Sequence, residues 1–181
     1  LQQLTGHEYT VESAAFSPCG QLIATAERYQ DVLIHSIDGK LLHRLPTGAR
    51  NESLAFSPDG QHLLAVLRQE GPARVQLIRA WDLKSMQPAF DISTDFRTMT
   101  FALSESSREL VVADNDHVAK MTFPGGVTIT SQDNLRGRVR NVAISPNGEL
   151  HVAGCDNGLI YLWGSDDDDL TKIGDDPETA S

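Results

Sequence analysis

Six histidines, His7, His35, His43, His62, His117 and His151, are the side chains here best able to bind a metal or move a proton near neutral pH. Either task needs partners at a spacing that brings them together. No His-x-x-x-His or Cys-x-x-Cys occurs. His35 and His151 sit inside apolar runs and read as packed strand residues; His43 and His62 read as solvent-side strand residues. Cys19 lies in a turn with no cation beside it to activate the thiol, and Cys155 reads as a small buried apolar side chain. There is no glycine-rich phosphate loop and no Gly-x-Ser-x-Gly, and no spacing brings a serine, a histidine and an aspartate together. The run Asp166 to Asp169 lacks the alternating ligands and glycine bend of a calcium loop and reads as a solvated tail. These residues predict no catalytic, metal or cofactor site, and no enzyme.

The charge balance narrows the partners. The net charge is −10, of which residues 165–181 carry −6. An acidic body argues against a phosphate-backbone binder, which needs clustered Lys and Arg, and so against nucleic acid. No apolar run is long enough to cross a membrane as a helix. The chain opens Leu1-Gln2-Gln3-Leu4, with no basic and apolar leader and no initiator methionine, which leaves its natural start open. Two cysteines make no disulfide framework, so a reducing compartment, the cytoplasm, is expected.

The elements that hold these residues repeat. Ser17-Pro18-Cys19-Gly20, Ser57-Pro58-Asp59-Gly60 and Ser145-Pro146-Asn147-Gly148 follow Phe16, Phe56 and Ile144, and a degraded copy follows Phe101. These anchors fall 40, 45 and 43 residues apart. Pro presets φ, Asp or Asn tolerates the next position, and Gly takes a positive φ, so the tetrapeptide is a tight turn. Short apolar runs rich in β-branched residues flank every copy and read as strands, with a third and a fourth run after each. No segment shows ten or more residues at helical spacing. Four strands in about 40 residues, repeated, is the pattern of propeller blades, each of which buries its faces only against a neighbour. The predicted fold is all-β, with four four-stranded blades over residues 5–47, 48–94, 95–134 and 135–173. Residues 1–4 read as the outer strand of a preceding blade and 174–181 as an acidic disordered tail. Leu170 to Ile173 offer an outer strand for the fourth blade. Phe16, Phe56, Phe101 and Ile144 are expected to be buried at equivalent places.

The sequence resembles the WD40-repeat β-propeller family over residues 1 to about 164. Gly6-His7 matches the Gly-His that opens a family repeat, and Trp81-Asp82 the Trp-Asp that closes its third strand. Trp163 stands at the same place in the fourth repeat, followed by Gly164. The resemblance implies a hydrogen-bonded network of a His, a strand-b Ser or Thr, a turn Asp and the Trp inside each blade. It makes His7 a donor to that network. No repeat here is complete: the first has His7 and Thr25 but His35 in place of Trp, the second and fourth lack Gly-His, and the third lacks both markers. Rings of this family usually hold about seven blades. The resemblance therefore implies an open arc of a larger ring, with missing blades or a second chain to complete it. Uncovered faces would make the isolated chain poorly soluble or oligomeric.

One charge pattern points to binding. Four residues before each anchor stand Glu12, Glu52, Arg97 and Arg140, and two further upstream Thr10, Arg50, Asp95 and Arg138. Strand a is innermost in the resembled family and starts at the channel mouth, which two acids and then two bases would make bipolar. Loops on a rigid scaffold are where binding collects. The expected function is a noncatalytic scaffold for a protein partner, with Tyr9, Glu12, Arg50, Glu52, Phe96, Arg97, Arg138 and Arg140 on the binding face. The rival classes are a catalytic propeller, which needs two carboxylates and a His converging in one pocket, and a sensor module regulating an attached enzyme.

Overall fold

The computed structural model describes residues 3–69, 76–94, 97–98, 100–106 and 108–164, with the backbone of 171–173. All regular elements among the described residues are strands, and they form four four-stranded antiparallel sheets in sequential order. The first sheet holds β1 (Val11–Phe16), β2 (Leu22–Glu27), β3 (Val32–Ser36) and β4 (Leu41–Leu45). The second holds β5 (Arg50–Phe56), β6 (His62–Arg68), β7 (Gln76–Asp82) and β8 (Gln87–Ser93). The third holds β9 (Thr100–Leu103), β10 (Glu109–Ala113), β11 (Val118–Thr122) and β12 (Thr128–Gln132). The fourth holds β13 (Val139–Ile144), β14 (Leu150–Cys155), β15 (Ile160–Gly164) and β16 (Thr171–Ile173). The chain divides into two compact units, residues 1–94 and 95–181, each with two sheets. The expected acidic run at 166–169 and the tail at 174–181 lie outside the described residues.

The turn between the first two strands of each sheet is closed by a serine as well as by the Pro and Gly read from the sequence. The Ser57 hydroxyl accepts the His62 N–H at 2.8 Å, and the backbone pairs Ser57 N–H with the His62 carbonyl at 2.8 Å. Ser17 with Leu22, Ser104 with Glu109 and Ser145 with Leu150 repeat both bonds. The third turn therefore keeps the closure although its Pro and Gly are gone. In the other three, Gly20, Gly60 and Gly148 take φ of +70°, +68° and +76°, where a Cβ would be strained.

Within each unit the two sheets pack face to face. In the first unit Ala24, Ala26, Val32, Ile34 and Leu45 of one sheet meet Leu54, Phe56, Leu63, Ala65, Leu67 and Trp81 of the next. The registers Phe56–Leu63 and Leu63–Trp81 put the three large side chains on a single face. Ala24 and Ala26 leave room for them, so small and large residues interlock across the seam. The second unit repeats the arrangement with Val111, Ala113 and Val118 against Val142, Ala153, Tyr161 and Trp163.

The anchors are not equally buried. Phe56 and Phe101 are buried and Ile144 is half-buried, but Phe16 is 64% exposed, against expectation. Phe101 is also not at the equivalent place: Leu103, just before Ser104 and in register with Leu110, corresponds to Phe56, and Phe101 to Leu54. Phe56 and Ile144 face the preceding sheet of their own unit. Phe16 lies on the opposite face of the first sheet, in register with Ile23. Among the described residues of the first unit, residues 5–9 lie over part of that face. His7 Nε2 meets Thr25 Oγ1 at 2.7 Å, His35 Nε2 donates to the Thr5 carbonyl at 2.9 Å, and the two rings stack at 5.6 Å. Thr25, Leu33 and His35 are thereby buried, and Phe16 stands beyond the reach of this segment. The network read from the family pattern is thus present in the first sheet in altered form, with His35 in the tryptophan's place.

His151 is fully buried at the seam of the second unit, stacked on Trp163 at 5.4 Å. Its ring nitrogens make no well-aligned hydrogen bond, and the Trp163 backbone is the polar group set against the ring. Burial first, and the Lys120 ammonium second, hold its pKa below the ordinary histidine value, with Glu109 pulling the other way. Its counterpart in the second sheet is Leu63, which likewise pairs with the anchor and the tryptophan.

Two outcomes follow. Ser57→Ala leaves the buried turn without its acceptor for the His62 N–H and should destabilise the chain by about 1–3 kcal/mol in urea unfolding, with Ser57→Thr recovering most of the loss. For His151 the folded state disfavours the proton, so the unfolded chain binds it more readily. The stability contributed by neutral His151 is complete above about pH 6.5 and declines as the pH falls below that value. His151→Leu should flatten that decline; an unchanged pH profile would assign the acid sensitivity elsewhere.

Candidate functional site

Strand a carries the same irregularity in three of the four sheets. Register shifts fall between Val11 and Ser13 in β1, between Asn51 and Ser53 in β5, and between Val139 and Asn141 in β13. The extra residues are Glu12, Glu52 and Arg140, three of the charged positions singled out from the sequence. A bulge leaves one residue outside the ladder and re-aims its side chain. Repeating it puts a charge at the same end of each of these sheets, beside the turn that follows strand b.

There each bulge residue meets a charge of opposite sign sixteen positions on. Glu12 pairs with Arg28, Glu52 with Arg68 at 3.1 Å and Arg140 with Asp156 at 3.2 Å. Arg50 adds a second, longer contact to Glu52 at 3.8 Å. The Glu52 side chain is 8% exposed, whereas Arg140 and Asp156 are well exposed. Asp156 also accepts the Arg138 N–H at 2.9 Å, and that bond, followed by the Arg140 charge, holds its carboxyl below the usual range. The end of the first unit is therefore not a pair of bare acids. Its glutamates are matched by arginines that sequence reading missed, although the sixteen-residue offset was a findable signal.

The remaining predicted residues are placed as follows. Tyr9 is 56% exposed, and its backbone N–H is held by the buried Glu27 carboxylate at 3.1 Å, which also accepts the Glu8 N–H. Glu27 in turn is fixed from the next sheet, where the Asn51 amide donates to its carbonyl at 2.6 Å. Glu27 and Asn51 thus position the rim without belonging to the predicted set. Phe96 lies outside the described residues. Arg97 is exposed just ahead of β9. Thr100 and Asn141 link β9 to β13 at 3.4 Å, which brings the strand-a ends of the third and fourth sheets together. That end carries Arg97, Arg136, Arg138 and Arg140, all exposed, with Asp114, Asp116, Asp133 and Asp156. Burial pushes the Asp114 carboxyl up. Acids and bases balance in number at that end, and what distinguishes it is the set of four exposed arginines. Among the described residues no group of three or more His, Cys, Asp or Glu is placed to hold a metal ion. No helix is long and apolar enough to cross a membrane.

Four-strand meanders, a serine-closed turn at each strand a–b corner and the Gly-His and Trp markers define a class. The chain belongs to the WD40-repeat β-propeller family. The family model for the WD domain, G-beta repeat, matches residues 1–43 and 128–164. The chain is 31% identical over 162 residues to a small ribosomal subunit protein RACK1 of Medicago sativa, a match that covers 89% of this chain and 41% of that protein. It is 32% identical over 102 residues to a small ribosomal subunit protein RACK1 of Glycine max, covering 56% of this chain and 29% of the relative. The chain thus spans less than half the length of the curated relatives it matches.

The two kinds of pair should respond differently to truncation. Arg68→Ala leaves the nearly buried Glu52 without its closest partner and should cost about 1–3 kcal/mol in urea unfolding. Arg140→Ala, in an exposed pair, should leave the unfolding midpoint unchanged. Equal losses would mean that both pairs are structural.

Proposed function

We propose that the chain is a noncatalytic scaffold that binds protein partners through the bulged ends of its sheets. The observation that carries this reading is the bulge shared by Glu12, Glu52 and Arg140, which sets a charged side chain at one end of a rigid sheet in each case. Bulges of this kind sit where a side chain is aimed outward for use. Tyr9, Glu12, Arg50 and Glu52 form the contact set of the first unit, and Phe96, Arg97, Arg138 and Arg140 that of the second. The four exposed arginines of the second unit suit an acidic segment of the partner, because complementary charge sets orientation and encounter rate. The likeness to RACK1 proteins of the small ribosomal subunit supports protein binding in general and a cytoplasmic setting.

In this reading the natural protein carries further blades, in the same polypeptide or a second one. The exposed Phe16 and its neighbour Ala14 suit cover by such a sheet, as Phe56 and Leu54 are covered in the first unit.

Charge reversal tests the binding face. Arg97→Glu combined with Arg140→Glu should remove acidic partners from the set captured by the immobilised chain in lysate, read by quantitative mass spectrometry. The melting temperature should hold, since exposed substitutions shift stability by about ±0.5 kcal/mol. An identical captured set with normal folding would reduce these arginines to a solvated rim.

A further inference from the structure

At the opposite end of the first unit, away from the bulges, the two sheets leave a groove of about 610 Å³. It is lined by Ser17, Pro18 and Cys19 of the first corner with Leu22, by Asp59, Gly60 and Gln61 of the second, and by Asp82, Leu83 and Lys84 at the end of β7. A groove of this size is in the range of about 300–1,000 Å³ that ligand sites occupy. Its apolar lining comes from Pro18, Leu22 and Leu83, the last two also packed on the core, so the floor is rigid.

Its polar groups are two fixed carboxylates. Asp59 Oδ1 accepts the Ser57 hydroxyl at 2.6 Å and the Gln61 N–H at 2.9 Å. Asp82 Oδ1 accepts both the Ser85 N–H and hydroxyl at 2.7 Å. Each carboxylate is thus held by its own turn before any ligand arrives. At Asp59 burial pushes the carboxyl up but is outweighed by the Ser57 hydroxyl and the Gln61 N–H, and at Asp82 the Ser85 hydroxyl and N–H act, so both carboxyls lie below their ordinary range, with His62 acting in the same direction. Against these two anions the groove offers one cation, Lys84.

We propose that this groove docks an extended peptide segment with a basic side chain between apolar ones. The arginine or lysine of the segment lies between Asp59 and Asp82, and its apolar neighbours rest on Pro18, Leu22 and Leu83. Charge complementarity selects this occupant: preset carboxylates form charge-assisted hydrogen bonds with a guanidinium or ammonium without first being ordered. An acidic segment meets two like charges. The site stands apart from the bulged ends and does not depend on the function proposed for them.

Cys19 lines the groove and is exposed, and hydrogen bonds from the Ser17 hydroxyl and the Gln21 backbone lower its pKa. It therefore serves as a built-in reporter. The test uses the chain with Cys155→Ser, a fluorescein-labelled hexapeptide alternating leucine and arginine, and a second one alternating leucine and glutamate. The arginine peptide should bind saturably by fluorescence anisotropy and slow the alkylation of Cys19 by iodoacetamide; the glutamate peptide should do neither. Asp59→Asn with Asp82→Asn should weaken binding about tenfold or more. Lys84→Glu, in an exposed turn, should tighten it, which keeps the test decisive if the aspartate variant fails to fold. Absence of saturable binding, equal binding of both peptides, or binding that leaves Cys19 alkylation unchanged would overturn the proposal. The last result would assign the peptide to other acids of the chain, such as the run Asp166 to Asp169.

Discussion

The apolar seam between consecutive sheets is what the rest of each unit depends on. A four-stranded antiparallel sheet of five- to seven-residue strands cannot dry both faces alone. In the first unit the second sheet supplies Leu54, Phe56, Leu63 and Trp81, and the first sheet supplies Ala24, Ala26, Val32 and Ile34. Each large side chain so buried contributes about 1.5–3 kcal/mol. The seam also fixes the ends of the sheets. Strands β1 and β5 pack against one another, so their bulged ends and their serine-closed corners are held at a set separation. The charged end and the groove in the first unit are both products of that one packing.

The bulges show how a scaffold separates stability from display. The ladder is complete on either side of Glu12, Glu52 and Arg140, and the extra residue is fitted in without loss of the sheet. Whether its side chain then stabilises or merely decorates is decided by burial. Glu52, nearly buried between Arg50 and Arg68, is tied into the unit; Arg140 stands in water beside Asp156. The sign of the charge differs between units at the same backbone position, which is how equivalent ends acquire different electrostatic character.

Much of this was legible because its causes are local. A turn of Ser, Pro and Gly sets its own φ angles, and runs such as Leu63-Leu64-Ala65 state their strand period without outside help. Glu12, Glu52 and Arg140 were legible for the same reason, since a bulge occupies a fixed place in a repeated strand; Arg97 was misplaced because the third anchor is Leu103 rather than Phe101. What the sequence hid is nonlocal. Nothing near Phe16 distinguishes it from Phe56; only the presence or absence of a facing sheet does. The partners of Glu12, Glu52 and Arg140 lie at the end of the next strand or just past it, at a constant sixteen-residue offset that reads as a pairing only when the strand register is followed. His35 showed as a departure from the family pattern, but that it would stack on His7 and bind the Thr5 carbonyl depends on the path of residues 5–9.

The serine closure of the corners has one more consequence. Because a hydroxyl and the backbone hold each turn, the residue two places beyond the serine is left without a structural duty that demands one type. A thiol, a carboxylate, a hydroxyl and an amide occupy it at Cys19, Asp59, Ser106 and Asn147, and each rests against the same serine oxygen, at 3.4, 2.6, 3.0 and 2.7 Å. Repetition of the backbone therefore does not oblige repetition of the surface. Each corner is an interchangeable socket, and the identity of its occupant can drift or be engineered one sheet at a time while the frame stays constant.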